Sequence, residues 1–317
     1  MKRNALFRII LWSVTVFILI GLLIGGLGIG YFVKNNGFDA ENWSFSFGTG
    51  GDYYGKDSSF KIGSAKISEN ISDLEIYWRK GNVEITVYDG DTLLLIETEL
   101  SHKDELMRYR VNNARLEIHP RKSSVFMGLR GTPSKDLTVK VPASMVENLN
   151  KITVSVASAN VQINDLKIGN VLSIDSASGA TTLKNVSAKA VNFDNVSGEI
   201  KAENIVTESV DCDNVSGNVN LKGEIGAISF DSVSGDLSLE SSVMLREAES
   251  DTVSGNVNLV IPENTGFELD FDSVSGKVSS DFGITLVDEN EYNYGSGEAE
   301  FSFDSVSGDL NIKKLSQ

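Results

Sequence analysis

Asp231-Ser-Val-Ser-Gly235 recurs almost unchanged as Asp213-Asn-Val-Ser-Gly217, Asp251-Thr-Val-Ser-Gly255, Asp272-Ser-Val-Ser-Gly276 and Asp304-Ser-Val-Ser-Gly308. Asp194-Asn-Val-Ser-Gly198 and Asp175-Ser-Ala-Ser-Gly179 extend the series upstream. Successive glycines lie 19, 19, 18, 20, 21 and 32 residues apart. A period near twenty is the signature of a solenoid, whose repeats bury their apolar side only by stacking.

The residues around each glycine form columns. Seven places before it stand Leu172, Val191, Val210, Ile228, Ala248, Leu269 and Phe301, and five before it Ile174, Phe193, Cys212, Phe230, Ser250, Phe271 and Phe303. Ala or Val always stands two before, and apolar residues dominate two and four after. Alternation on both sides of a turn is strand pattern. The fold class is therefore all-β: a β-solenoid of parallel, stacked coils of about 19–20 residues, each column stacking on itself at about 4.8 Å per step. Regular repeats run over residues 172–312, and the inward columns expected are those at seven, five and two before the glycine and at two and four after it.

Glycine suits the bend because it accepts positive φ. The Asp four places earlier has two readings. The simpler is an Asx-type turn brace accepting backbone N–H groups. The other is a cation ladder of Asp175, Asp194, Asp213, Asp231, Asp251, Asp272 and Asp304, since stacked carboxylates repel by roughly 1 kcal/mol per neighbour in water. The phrase lacks the Gly-Gly-x-Gly-x-Asp pattern of calcium-binding β-rolls, so no metal and no cofactor is expected.

Upstream, residues 1–8 carry Lys2, Arg3 and Arg8 and no acidic residue, and residues 9–33 are uncharged. Such a run is long enough to span a bilayer as a helix. Its basic flank predicts a cytoplasmic N-terminus and an extracytoplasmic remainder. The run is too long and ends too poorly for a cleaved signal peptide, so an uncleaved signal anchor is expected. Residues 34–60, rich in Gly, Ser and aromatics, form a spacer. Residues 61–317 form the extracytoplasmic domain, with Leu74-Glu-Ile76, Val83-Glu-Ile-Thr-Val87 and Leu137-Thr-Val-Lys-Val141 as early strands. Pro142 ends one strand, Ala157–Ile163 looks like a worn copy of the phrase, and residues 281–300 are an inserted loop or hairpin projecting from the last coils.

Residues 171–317 hold 8 basic and 26 acidic side chains, residues 1–170 hold 20 and 18. This acidity excludes nucleic acid as a partner. Nine Lys or Arg between His102 and Lys140 offer a modest basic patch for anionic wall polymer or lipid headgroups, or simply the wet face of strands. A single cysteine, Cys212, excludes an internal disulfide and fits a buried core position. Neither His102 nor His119 is tied to a nucleophile, and no metalloprotease, esterase or phosphate-loop motif is present. The Asp-rich turns could imitate the carboxylates of a β-helix polysaccharide enzyme, but they obey the repeat rather than break it. A non-catalytic chain is expected.

A basic start, one span, the Gly81-Asn-Val-Glu-Ile85 strand, the strand ending at Pro142 and serial Asp-x-Val-Ser-Gly coils together resemble one bacterial family. It is the adhesin-like β-strand-repeat group of unknown function, which includes the LiaG-like membrane-anchored proteins of Firmicutes. The resemblance covers about residues 62–317 and implies a tethered solenoid of the Gram-positive envelope. Its LiaG-like members imply a link to envelope-stress operons. The partners expected are the bilayer through residues 9–33, and cell-wall polymer or another envelope protein. The expected functions are a binding or scaffold module, or an accessory of stress signalling acting through the span.

Overall fold

The computed structural model describes residues 59–98, 106–120, 134–263 and 265–316. The expected tail at 1–8, the span at 9–33 and nearly all of the spacer lie outside the described residues. Among the described residues no helix is long and apolar enough to cross a membrane.

One coil explains the rest. Along β9 (Val171–Ser176) the residues Leu172, Ile174 and Ser176 are buried while Ser173 and Asp175 face outward. The chain turns at Gly179 and continues as β10 (Thr181–Ser187), burying Thr181 and Leu183. Asn185 then adopts φ 53°. This turns a corner, so Val186, three places after Leu183 rather than two, also faces inward. The next coil, β11 (Ala190–Ser197) and β12 (Ile200–Thr207), lies parallel on it with Val191 on Leu172, Phe193 on Ile174 and Ile200 on Thr181. β13 (Ser209–Ser216) and β14 (Val219–Ile225) follow, then β15 (Ala227–Ser234) and β16 (Leu237–Ser241), then β17 (Glu247–Ser254) and β18 (Val257–Ile261). The parallel β-solenoid is thus present, its columns forming one continuous core. Each Leu, Ile or Phe withdrawn from water contributes about 1.5–3 kcal/mol.

One column differs from expectation. The Ala or Val two before each glycine is only partly covered, and Val274 is 59% exposed. The polar residue three before it is the buried one: Ser176, Asn195, Asn214, Ser232, Thr252 and Ser305. Strand alternation simply persists through the phrase until the glycine breaks it.

Both ends of the stack are threaded out of sequence order. At the first end, β3 (Asp73–Tyr88) and β8 (Lys151–Lys167) each run the length of a coil and pair in parallel. The segments between them in sequence, β6 (Arg115–His119) and β7 (Lys135–Pro142), lie on the far side of β3. Antiparallel strands close this end. β4 (Leu93–Glu97) pairs with β7 and with β2 (Ala65–Ile67), and β5 (Arg108–Asn112) pairs with β6 and with β1 (Lys61–Ile62). After Pro142 the short helix α1 (Ala143–Val146) buries Met145. Beneath, Lys135 Nζ meets Glu97 Oε1 at 2.6 Å, with the two side chains 9% and 1% exposed. Of the expected basic patch, Lys103, Arg121, Lys122 and Arg130 lie outside the described residues, while Arg110 pairs with Glu117, Arg115 with Glu75 and Lys135 with Glu97.

At the other end the coil of β19 (Gly266–Ser273) and β20 (Val278–Ser280) does not stack on β17 and β18. The coil of β23 (Ala299–Ser307) and β24 (Leu310–Lys314) takes that place, with β23 between β17 and β19 and β24 between β18 and β20. The coils at this end therefore do not stack in sequence order. In the observed order Phe301 and Phe303 fall directly on Ala248 and Ser250, the small members of their columns. The insertion does not project. β21 (Thr285–Asp288) and β22 (Glu291–Gly295) form a hairpin, and β22 lies antiparallel on β19 as a cap. Phe267 anchors it, stacked on Phe301 at 4.7 Å and meeting Phe282 and Tyr294 at 5.6 and 5.5 Å.

Candidate functional site

The coil corner carries the recurring polar residues, and the fold collects all seven phrase aspartates there. They form one outward row in the order Asp175, Asp194, Asp213, Asp231, Asp251, Asp304 and Asp272, spaced by about 4.8 Å. Donors close both ends: Ser155 Oγ donates to Asp175 Oδ2 at 2.7 Å, and Asn290 Nδ2 donates to Asp272 Oδ1 at 2.5 Å. Burial, reinforced by the neighbouring Asp175 and Asp213, pushes Asp194 up to about 7. Burial, reinforced by Asp251 and Asp213, does the same to Asp231. Asp213 is raised by burial and by Asp211. Asp194 and Asp231 therefore hold protons near neutral pH.

Among the described residues no group of three or more His, Cys, Asp or Glu is placed to hold a metal ion. Geometry gives the reason. A straight row offers carboxylates in line, whereas Ca²⁺ requires six to eight converging oxygens.

At three of the turns the residue after the Asp braces the bend, a role the expectation gave to the Asp. Asn195 Nδ2 donates to the Gly198 carbonyl at 3.1 Å and to Asn214 Oδ1 at 2.8 Å. Asn214 Nδ2 donates to the Gly217 carbonyl at 2.8 Å, and Ser273 Oγ accepts from the Gly276 N–H at 2.7 Å. The inward asparagine thus satisfies a carbonyl that the bend leaves over.

A shallow groove of about 490 Å³ runs across the corner of the later coils. Its floor is a column of serines, Ser234, Ser254, Ser307 and Ser275, beside the stacked glycines. Gly179, Gly198 and Gly217 turn with φ of 118–131°. At the groove the constraint is instead close approach, since a Cβ on Gly255 would lie 2.2 Å from the Gly235 carbonyl oxygen. The groove wall is the residue after each glycine. Asp236 Oδ1 accepts from the Asn256 N–H at 2.8 Å, Asn256 Oδ1 from the Asp309 N–H at 3.1 Å, and Asp309 Oδ1 from the Lys277 N–H at 2.9 Å. This second ladder escaped the sequence reading, although its recurring Asn and Asp were a visible signal. Its carboxylates and hydroxyls can accept and donate hydrogen bonds to a polar chain laid along the stack.

His102 lies outside the described residues, and the other histidine and the cysteine are sequestered. His119 stacks on Tyr77 at 4.7 Å with Phe60 edge-on at 5.4 Å, and burial pushes it down to about 4. Cys212 is buried between Phe193 and Phe230, and burial, then its aspartate neighbours, raise its thiol, which is the setting of an inert cysteine. Asn185-Val-Ser, Asn195-Val-Ser and Asn214-Val-Ser match the glycosylation sequon, and Asn195 and Asn214 are buried. Asn185 is exposed and donates to Asp165 Oδ1 at 2.6 Å.

Residues 71–313 match the family described as Toastrack DUF4097, and the chain belongs to that family. Among solved structures it is similar to a "putative cell adhesion protein" from Clostridium sporogenes, with 14% identity over 81% of this chain and 100% of that one and a TM-score of 0.25. It is also similar to a "putative adhesin" from Bacteroides fragilis, with 16% identity over 81% and 98% and a TM-score of 0.44. A "putative lipid binding protein" from Parabacteroides distasonis shares 15% identity over 82% and 98% with a TM-score of 0.45. No curated protein matches the chain.

Proposed function

We propose that this chain is an adhesin-like, non-catalytic binding module of the bacterial cell envelope, tethered by residues 9–33 and held outside the cell. The observation that carries the reading is the groove along the coil corner, where in-register stacking aligns serine hydroxyls and Asn or Asp side chains across four coils. Straight rows of this kind suit a linear polymer lying parallel to the stack. The phrase residues obey the repeat and none is singled out, whereas a catalytic centre requires groups in distinct roles. The test is co-sedimentation of the full-length chain with insoluble wall glycan, compared with Ser254→Trp, which fills the groove. We expect at least a tenfold loss of binding in the variant. Equal binding by both refutes the groove. Digestion of the exposed domain by protease added outside intact cells checks the topology, and protection of that domain refutes it.

A second reading is an accessory of envelope-stress signalling that acts through the span, with the raised carboxyls of Asp194 and Asp231 as its pH-responsive element. Recovery of membrane signalling proteins, with no wall glycan, in a cross-linked pull-down would support it over the first.

A further inference from the structure

We propose that the coil formed by β23 and β24 exchanges between two copies of this chain, giving a domain-swapped dimer. The slot it fills is built entirely by earlier residues: β17 and β19 flank β23, and β18 and β20 flank β24. Into it go Ala299, Phe301, Phe303, Leu310 and Ile312, all buried. An identical coil from a second copy restores each of these contacts, so the swapped and unswapped forms differ chiefly at the connection.

That connection is short. Gly295 lies on one edge of β19, opposite Gly266, while Ala299 lies on its other edge, opposite Phe267. Three residues, Ser296, Gly297 and Glu298, therefore carry the chain around the start of β19. The passage is tight. Gly295 and Gly297 have φ of 61° and 70°, and a Cβ on Gly295 would lie 2.1 Å from the Thr265 carbonyl oxygen. Ser296 N–H donates to the same carbonyl at 2.9 Å, and Thr265 Oγ1 donates to Glu298 Oε2 at 2.6 Å. Short, constrained hinge loops favour exchange, because opening the hinge releases the constraint while the slot contacts are kept. The cap hairpin, paired to β19 of its own chain, stays in place. The inference is independent of the groove and of the membrane tether.

Asn258 and Asn311 are register partners on neighbouring strands, and Asn311 Nδ2 donates to Asn258 Oδ1 at 3.0 Å. Adjacent strands in register lie within disulfide range. The experiment uses the full-length chain in mild detergent as Asn258→Cys and Asn311→Cys single variants, unfolded, mixed, refolded at high concentration and oxidised. We expect a disulfide-linked dimer in the mixture and none from either variant alone. Inserting four residues after Gly297 should reduce the dimer several-fold by letting the coil fold back without constraint. A chain carrying both substitutions, refolded dilute, should close the disulfide internally. If it does while the mixture stays monomeric, exchange is refuted. If it does not, the 258–311 register is wrong and the proposal falls with it.

Discussion

The Asp row makes the stability of this protein depend on pH in an unusual direction. Asp194 and Asp231 rise from 3.8 to about 7 on folding. Their folded forms bind the proton more tightly than the unfolded chain does, so the stability they confer is complete below the unfolded value. It is lost as pH climbs through about 7. A shift of that size is worth about 4 kcal/mol per carboxyl at the unscreened limit. Both groups face outward and are partly solvated, so screening leaves roughly 1–2 kcal/mol each, or about 3 kcal/mol together. For a domain of this size each kcal/mol moves the midpoint by about 2–4 °C. About two-thirds of this loss falls above pH 5, so thermal unfolding at constant ionic strength should show the midpoint falling by roughly 4–8 °C between pH 5 and pH 8. The Asp194→Asn, Asp231→Asn double variant keeps the side-chain shape without the charge, and its midpoint should stay nearly flat over the same window. A wild-type midpoint that holds or rises towards pH 8, or a variant that falls in parallel, would refute the reasoning.

Because the row lacks converging ligands, millimolar Ca²⁺ should leave the midpoint of the wild type within about 1 °C. A rise that disappears in the same double variant would restore the cation ladder. Removing the cation of the buried Lys135–Glu97 pair by Lys135→Met strands a carboxylate that also accepts from the Met107 N–H at 2.8 Å, and denaturant titration should show a loss of about 3–5 kcal/mol. Gly255→Ala drives a methyl into the Gly235 carbonyl and should cost about 1–3 kcal/mol by the same titration. Ser250 Oγ is buried with no hydrogen-bond partner among the described residues, so Ser250→Ala should stabilise by about 1 kcal/mol; destabilisation would show that the hydroxyl is satisfied.

The coil itself was legible because its signal is periodic. Leu172, Val191, Val210 and Ile228 fall in register as the spacing predicts, and so do the seven aspartates. The inward column inside the phrase was misjudged because hydropathy and alternation disagree there. Valine is apolar yet stands on the outward side, while Asn195 and Asn214 are polar yet buried, each satisfying a turn carbonyl. The groove wall went unread for a related reason. Asp236, Asn256 and Asp309 differ in type, and their common role as acceptors for the next coil's N–H shows only when the coils are stacked.

The order of the coils could not be read from the phrase at all. Every coil offers its neighbour the same Asp, the same turn and the same alternation, so the backbone ladder accepts coil 266–280 or coil 299–314 on β17 with equal hydrogen bonding. What distinguishes them is where the intervening chain leads. The hairpin at 285–295 returns the chain to the slot, where Phe301 and Phe303 fall on Ala248 and Ser250. Both are properties of pairs of distant segments, invisible to any single repeat. The same degeneracy that hides the order from the sequence leaves the slot unable to distinguish its own coil from that of another copy. The three-residue passage around β19 therefore decides whether the slot takes its own coil or that of another copy.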